Sequence, residues 1–448
     1  MIKKNTPLFI MALSLTALSS YATANVMHPT DDGNRNAGHD FNLSIGGYIK
    51  SIAGFYDSKF INENHRDFQT ASQVYFTASK KAANGVEYNA FVELYTSTDS
   101  SINSSEAYIT MKTDYGVVGF GDHQSPADRF TFYAPNLGFG QAVRSYNNVV
   151  GGFGQSINAE FEGFVDASSS SQIGPKALDS ENSTRIYYLT PRVNGFRAGI
   201  SYAPEFNSGE SIIRTKKDGL TAATPSINGS AALNNALIDY VQPNQDGNRD
   251  PTLDNRGRGS PKAFFKNSFR DFIELGATCQ KKFQEVTYRL STTYVHADHK
   301  SGATAAGKRR DINAWSVGAQ LDFGKDWRLG GSYVDNKGSG QLKSKKKQDR
   351  QAFNFGVVYE PGPLGLSANI ITEDLGGSNK HGSGKYFAYG FGTTYQLAPG
   401  IMVGSDLVFY ERKFGKDDIS RFVVPSELKT SSSKSKGYVW LVGTQLNF

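Results

Sequence analysis

From Phe41 to Phe448, segment after segment alternates apolar and polar residues with the two-residue period of a β-strand. In the first, Phe41, Leu43, Ile45 and Ile49 share one side, and Asn42, Ser44, Tyr48 and Lys50 share the other. In the last, Tyr438, Trp440, Val442, Thr444, Leu446 and Phe448 oppose Val439, Leu441, Gly443, Gln445 and Asn447. Chain ends usually fray, so a terminal strand with an aromatic side calls for lipid or a core to hold it.

The connections between segments fall into two kinds. Short ones carry turn chemistry: Ala82-Ala-Asn-Gly85, Asp114-Tyr-Gly116, Pro191-Arg-Val-Asn-Gly195, Lys282-Phe-Gln-Glu285, Gly324-Lys-Asp326, Pro361-Gly-Pro363 and Ala398-Pro-Gly400. Between them lie polar stretches at about 57–67, 97–104, 123–183, 204–268, 298–310, 337–350, 374–384 and 414–435. An even number of strands, tight turns at one rim and long loops at the other predict an all-β fold: a transmembrane antiparallel β-barrel of sixteen strands, with both termini on the short-turn side. A soluble β-sandwich would show the same alternation, but it gives no cause for the terminal phenylalanine or the loop asymmetry.

Composition fits a wall one residue thick around a wet interior. Of 448 residues, 38% are hydrophobic, too few for an ordinary core of this size, while aromatics reach 12%. Lys3 and Lys4 precede the apolar run Leu8–Leu18, and Ala22-Thr-Ala24 has the form of a cleavage site, so residues 1–24 read as a secretory signal peptide and 25–448 as the barrel domain. No later stretch reaches the roughly 20 apolar residues of a spanning helix. Cys279 is the only cysteine, which excludes an intrachain disulfide. The 48 basic and 42 acidic residues give +6, and +4 without Lys3 and Lys4, a mild charge whose basic runs sit between strands and point to no nucleic-acid partner.

Several short motifs, in this order and spacing, resemble the general porins of Gram-negative bacteria, of the α-proteobacterial type. They are Gly46-Gly-Tyr-Ile-Lys50, Ser105-Glu-Ala-Tyr-Ile109 with Asp114-Tyr-Gly116 and Gly119-Phe-Gly-Asp122, Arg185-Ile-Tyr-Tyr-Leu-Thr-Pro-Arg192 with Gly195-Phe196 and Ser201-Tyr-Ala-Pro204, and the terminal Phe448. The resemblance implies an outer-membrane location, a homotrimer and insertion by an assembly machinery that reads the last strand, for which Trp440, Leu446 and Phe448 are the expected signal. It also implies that the loop after the fifth strand folds into the lumen. Here that loop, 123–183, carries a Ser-rich insert at about 167–182, and the next external loop, 204–268, is unusually long.

A diffusion pore needs charges along a wet passage rather than a catalytic group. Strand phase points Lys50, Lys112, Tyr48, Tyr108, Arg197, Arg289, Arg328 and Arg412 inward, with Arg185 also assigned there, together with the acids Glu87, Glu93, Glu106, Glu274, Glu373 and Asp406. A charge on the lipid face at the midplane would cost about 2–4 kcal/mol, so inward is the physical choice. The expected constriction sets Asp122 and Asp128 against Lys50, Lys112 and Arg185, with Arg144 on the loop's return. The competing reading is that such charges only hydrate the wall or pin the loop, since exposed pairs contribute little.

The function expected from these features is passive diffusion of small hydrophilic solutes and ions. A channel selective for anions or sugars would need a ladder of inward arginines or aromatics along one path. A hydrolase would need a Ser/His or Asp/His set at one rim, and His123, His296, His299 and His381 lie near such places without a recognisable motif. Adhesion through the long loops is compatible with transport. His296-Ala-Asp-His299 is a poor metal site, because positions three apart diverge on a strand. Asp246-Gly-Asn-Arg-Asp250 with Asp254 lacks the closing glutamate of a calcium loop. Lys343–Lys347 and Lys429–Lys436 sit in expected external loops, where outer-leaflet glycolipid phosphates are the candidate partner and a self-repelling solvated loop the alternative. No cofactor or metal is expected.

Overall fold

A computed structural model of the chain describes residues 41–58, 66–97, 100–139, 174–205, 269–299, 308–341, 343, 347, 349–374, 384–413 and 434–448. The expected signal peptide, the insert, most of the loop 204–268, Arg144, His381 and the Asp246–Asp254 stretch lie outside the described residues. The strands are β1 (Asn42–Ser58), β2 (Arg66–Lys81), β3 (Glu87–Ser97), β4 (Ser100–Thr113), β5 (Gly116–Asp122), β6 (Thr184–Leu189), β7 (Phe196–Glu205) and β8 (Phe269–Phe283). They continue with β9 (Val286–His299), β10 (Ile312–Phe323), β11 (Trp327–Lys337), β12 (Arg350–Tyr359), β13 (Leu364–Asp374), β14 (Lys385–Ala398), β15 (Ile401–Lys413) and β16 (Lys434–Asn447). Each pairs with its sequence neighbours, and β16 returns to β1, closing a sixteen-stranded antiparallel barrel.

Closure is completed by the last residue. Gly47 N–H donates to the Phe448 carbonyl (2.9 Å) and Phe448 N–H donates back to Gly47 (3.0 Å), extending the β1–β16 ladder by one rung. With no open edge, every strand finds its backbone partners within the wall, the condition for crossing lipid. Outward residues meet that condition on the other side: Phe387, Tyr389, Phe391, Tyr395 and Leu397 on β14, and Tyr438, Trp440, Val442 and Leu446 on β16, are all exposed. No helix among the described residues is long and apolar enough to span a membrane. The strands cross instead.

One expected loop is almost absent. The polar stretch 97–104 reads as an external connection, yet β3 ends at Ser97 and β4 begins at Ser100. Serine and asparagine here do not break the strand, and the ladder shifts register between Glu93/Leu94 and Tyr95/Ser97.

The inner face departs from a uniformly wet wall. Toward the long-loop rim, Phe272, Val295, Ala297, Ile312, Ala314, Val334 and Ala352 point inward and are buried. They form one apolar cluster with Ala127 and Ala177 from the segment joining β5 to β6 and with Leu178 packed against it. A barrel interior cannot bury apolar side chains by itself. The connecting segment supplies the missing layer.

That segment is seated where the wall carries glycine. A Cβ added to Gly276 would overlap the Pro126 carbonyl, one on Gly318 the Phe132 carbonyl, and one on Gly392 the Leu137 carbonyl. We predict that Gly318→Ala lowers stability by about 1–3 kcal/mol, the usual cost of overpacking, read as a lower melting point of the folded band in gel-shift electrophoresis. An unchanged melting point would show that the segment does not rest on this wall.

Candidate functional site

The β5–β6 connection begins with a short helix, α1 (Pro126–Arg129). Ser125 is its N-cap, accepting from Asp128 N–H at 3.1 Å, and Pro126 occupies the first turn, where its missing N–H costs nothing. From α1 the chain runs along the inside of the barrel as a belt. Phe132 N–H donates to Ser291 Oγ on β9 (2.9 Å), Gln320 on β10 donates to the Tyr133 carbonyl (2.8 Å), and Ala134 N–H donates to Asn354 on β12 (2.7 Å). Leu137 N–H reaches Ser367 on β13 (3.1 Å) and Phe139 N–H reaches Asp406 on β15 (2.8 Å). A Cβ on Gly443 of β16 would lie 3.1 Å from the Phe139 ring. A loop backbone without a ladder of its own is thus satisfied rung by rung from inward side chains.

A second tier returns nearer the long-loop rim. Gly174 N–H donates to Glu373 on β13 (3.0 Å), Ser332 on β11 donates to the Pro175 carbonyl (2.9 Å), and Leu178 N–H donates to Asn336 (3.0 Å). Ser180 ends the path on β8, giving its N–H (2.8 Å) and its hydroxyl (3.0 Å) to Glu274. Lys176 pairs with Asp128 and joins the two tiers. Burial opposes its charge, but the Asp128 carboxylate beside it more than compensates and holds the ammonium above its ordinary pKa.

The residues expected at the constriction occupy different places. Lys50 is half-buried on the lumen face of β1, its ammonium 5.6 Å from the Tyr48 ring centre. Lys112 is one position from the end of β4 at the short-turn rim, exposed and paired with Glu87 at 3.1 Å. Arg185 points inward but is 1% exposed, paired with Glu274 and hydrogen-bonded to Ser180 Oγ at 3.0 Å. Its charge fastens the belt rather than facing water. Asp122 pairs in register with Ala107 and Thr184, on the side of the sheet shared with Phe120 and Ile186, and accepts from the Thr184 hydroxyl. The structure brings Asp128 to Lys176 and does not bring it or Asp122 to the three expected bases.

Among the expected lining residues, Arg289 and Arg328 both pair with Asp322, an acid absent from that expectation that shares the inward side of β10 with Ile312 and Ala314. Arg197 is half-buried, donating to the Thr190 carbonyl (3.1 Å) with its guanidinium 5.9 Å from the Phe130 ring. Asp406 and Arg412 are fully covered. Trp440, Leu446 and Phe448 all face outward, Trp440 against Phe55 at 5.4 Å. Among the described residues no group of three His, Cys, Asp or Glu could hold a metal, and His296 is instead bonded to Asn313 at 3.2 Å.

His123, the residue after β5, has a larger part than its sequence context suggests. It is 4% exposed, stacked on Tyr108 at 3.9 Å, with Nδ1 3.2 Å from Glu106 and Nε2 2.9 Å from Arg129 Nη1. A guanidinium can only donate, so Nε2 accepts and the proton sits on Nδ1, facing Glu106. The ring is therefore neutral. Burial, with Arg129 and Arg185 nearby, pushes its pKa down against the pull of Glu106. A depressed value means the unfolded chain takes up the proton first, so the stabilisation is complete above about 6.5 and is lost as pH falls through the lowered value. We predict that the amide protection factors of residues 125–139, taken relative to the intrinsic exchange rate at each pH, fall on acidification through that range, with a flattened response in His123→Gln, whose amide keeps a donor and an acceptor. Equal pH dependence in both proteins would remove the ring from this role.

The description Gram-negative porin matches residues 11–415 of the chain. An uncharacterised protein of Rickettsia conorii is 25% identical over 443 residues, covering 91% of each chain, and one of Rickettsia bellii is 23% identical over 461 residues, covering 97% of each. Among solved structures, an anion-selective porin from Comamonas acidovorans superposes with a TM-score of 0.52 at 13% identity, covering 91% of this chain and 100% of that one, a likeness of fold. The inward belt, the closed sixteen-stranded wall and the match over most of the sequence agree: the chain belongs to the Gram-negative porin family.

Proposed function

We propose that the protein is a water-filled outer-membrane channel for passive diffusion of small hydrophilic solutes and ions. The observation that carries this reading is the asymmetric lining of the lumen by the described residues. The described belt covers the wall from β7 round to β15, while Tyr48, Lys50, Tyr75, Phe91 and Tyr108, inward on β1–β4, are only half-buried. A passage bordered by half-exposed polar and aromatic groups on one arc and by a backbone belt on the other stays wet.

The export signal at 1–24, insertion by an assembly machinery, contact with outer-leaflet glycolipid and a homotrimer belong to the same proposal. Support for self-association comes from the outer face, where Ser51 Oγ and Thr70 Oγ1 lie 3.3 Å apart beside Thr444 in the β16–β1–β2 register. A second copy would give these hydroxyls a protein surface in place of hydrocarbon.

Reconstitution in planar bilayers tests the channel directly: stable single-channel steps with ohmic current are expected, and silent insertion would defeat the proposal. Under a salt gradient, Lys50→Met is expected to move the reversal potential toward cation preference. Lys112→Met should move it less, because Glu87 already offsets that charge at the rim. An equal or reversed order would place the narrow part elsewhere.

A further inference from the structure

Five side-chain rings form an unbroken series on one arc of the inner wall. Tyr75 on β2 and Phe91 on β3 have ring centres 6.0 Å apart, Phe91 and Tyr108 on β4 5.0 Å, Tyr108 and His123 3.9 Å, and His123 and Tyr187 on β6 5.1 Å. Tyr48 on β1 continues the series by register, since it pairs with Gln73, two positions from Tyr75. His123 and Tyr187 are buried, whereas Tyr48, Tyr75, Phe91 and Tyr108 are half-buried and face the lumen. On their strands, β1 to β4, the described belt makes no backbone anchor.

The polar groups along this series are of mixed kind. Tyr75 donates to Gln73 Oε1 (2.7 Å), Gln73 donates to Glu93 (3.2 Å), and the Lys50 ammonium stands over Tyr48. Glu106 is engaged by His123 and Glu87 by Lys112, so the acids here are not a bare trap for cations. One lysine does not make an anion path. Rings edged with alternating donors and acceptors suit a neutral solute that has an apolar C–H face and a rim of hydroxyls, and a pyranose is that shape.

Resting on the channel reading above, we propose that the Tyr48–Tyr75–Phe91–Tyr108 arc is a weak carbohydrate-binding surface that favours linear sugars in transit. Weak binding is the useful regime, since a solute must enter and also leave. No charge is needed for it. Selectivity arises from ring contact along the arc where the described belt makes no backbone anchor.

The test adds maltose and its longer linear homologues to the full chain reconstituted in a planar bilayer. Expected is a brief, reversible block of ion current whose half-block concentration falls as the sugar lengthens. The double variant Tyr75→Leu with Phe91→Leu should raise that concentration about tenfold, which corresponds to ring contacts of about 1.4 kcal/mol in total. Tyr75→Phe, which keeps the ring and guards against misfolding of the double variant, should stay near the unmodified protein. Steps that persist with no block by any sugar, or block by choline at lower concentration than by sugar, would overturn the inference and leave the channel standing. Loss of block in Tyr75→Phe would overturn ring contact as its cause. Absence of conductance steps altogether would remove the channel reading, and this inference with it.

Discussion

The demand that governs this molecule is that no backbone N–H or C=O be left open inside hydrocarbon. Each unsatisfied group there costs several kcal/mol, so a strand may cross only if both its edges are paired. Closing β16 onto β1 meets the demand for all strands together, and the mutual Phe448–Gly47 rung carries the closure to the final residue. Once the wall is continuous, the protein needs no central core for stability, and its inside is free to be shaped. Among the described residues, what shapes it is the connection between β5 and β6, which meets the same backbone demand with side chains instead of a neighbouring strand.

This division explains what could be read from the chain beforehand. Hydrocarbon imposes a strict rule on outward positions, so alternation located sixteen strands and put Trp440 and Phe448 on the correct face. Water imposes almost none on inward positions. Ser291, Asn354 and Ser367 look like hydration of a wet wall, and nothing in their spacing says that they grip the belt. Gly276, Gly318 and Gly392 look like flexibility but are clearances. Ile312 and Val334 break the wet pattern and were the available sign that another layer lies over them. Asp122 sits at the end of a seven-residue strand after Gly121, too little alternation to fix its side.

Charges in the lumen divide by what they face. Arg185 and Glu274 are both wholly covered, and removing one partner of such a pair commonly costs 3–5 kcal/mol, about what a structural rivet supplies. Arg289 and Arg328 converge on one carboxylate at the opposite rim. Such groups hold shape, and counting them as a selectivity filter would overstate the field in the water. Lys50 is half-buried and Arg129 exposed, so neither charge is sealed from water in this way.

From Phe132 to Phe139 the wall holds the belt by its amides and carbonyls, bonds that are indifferent to which side chains the belt carries there. Phe132, Ala134, Leu137 and Phe139 are gripped by groups every residue possesses. A change of side chain at the half-buried Phe132, Leu137 or Phe139 can therefore reshape the inside of the tube while the backbone bonds that seat the belt persist.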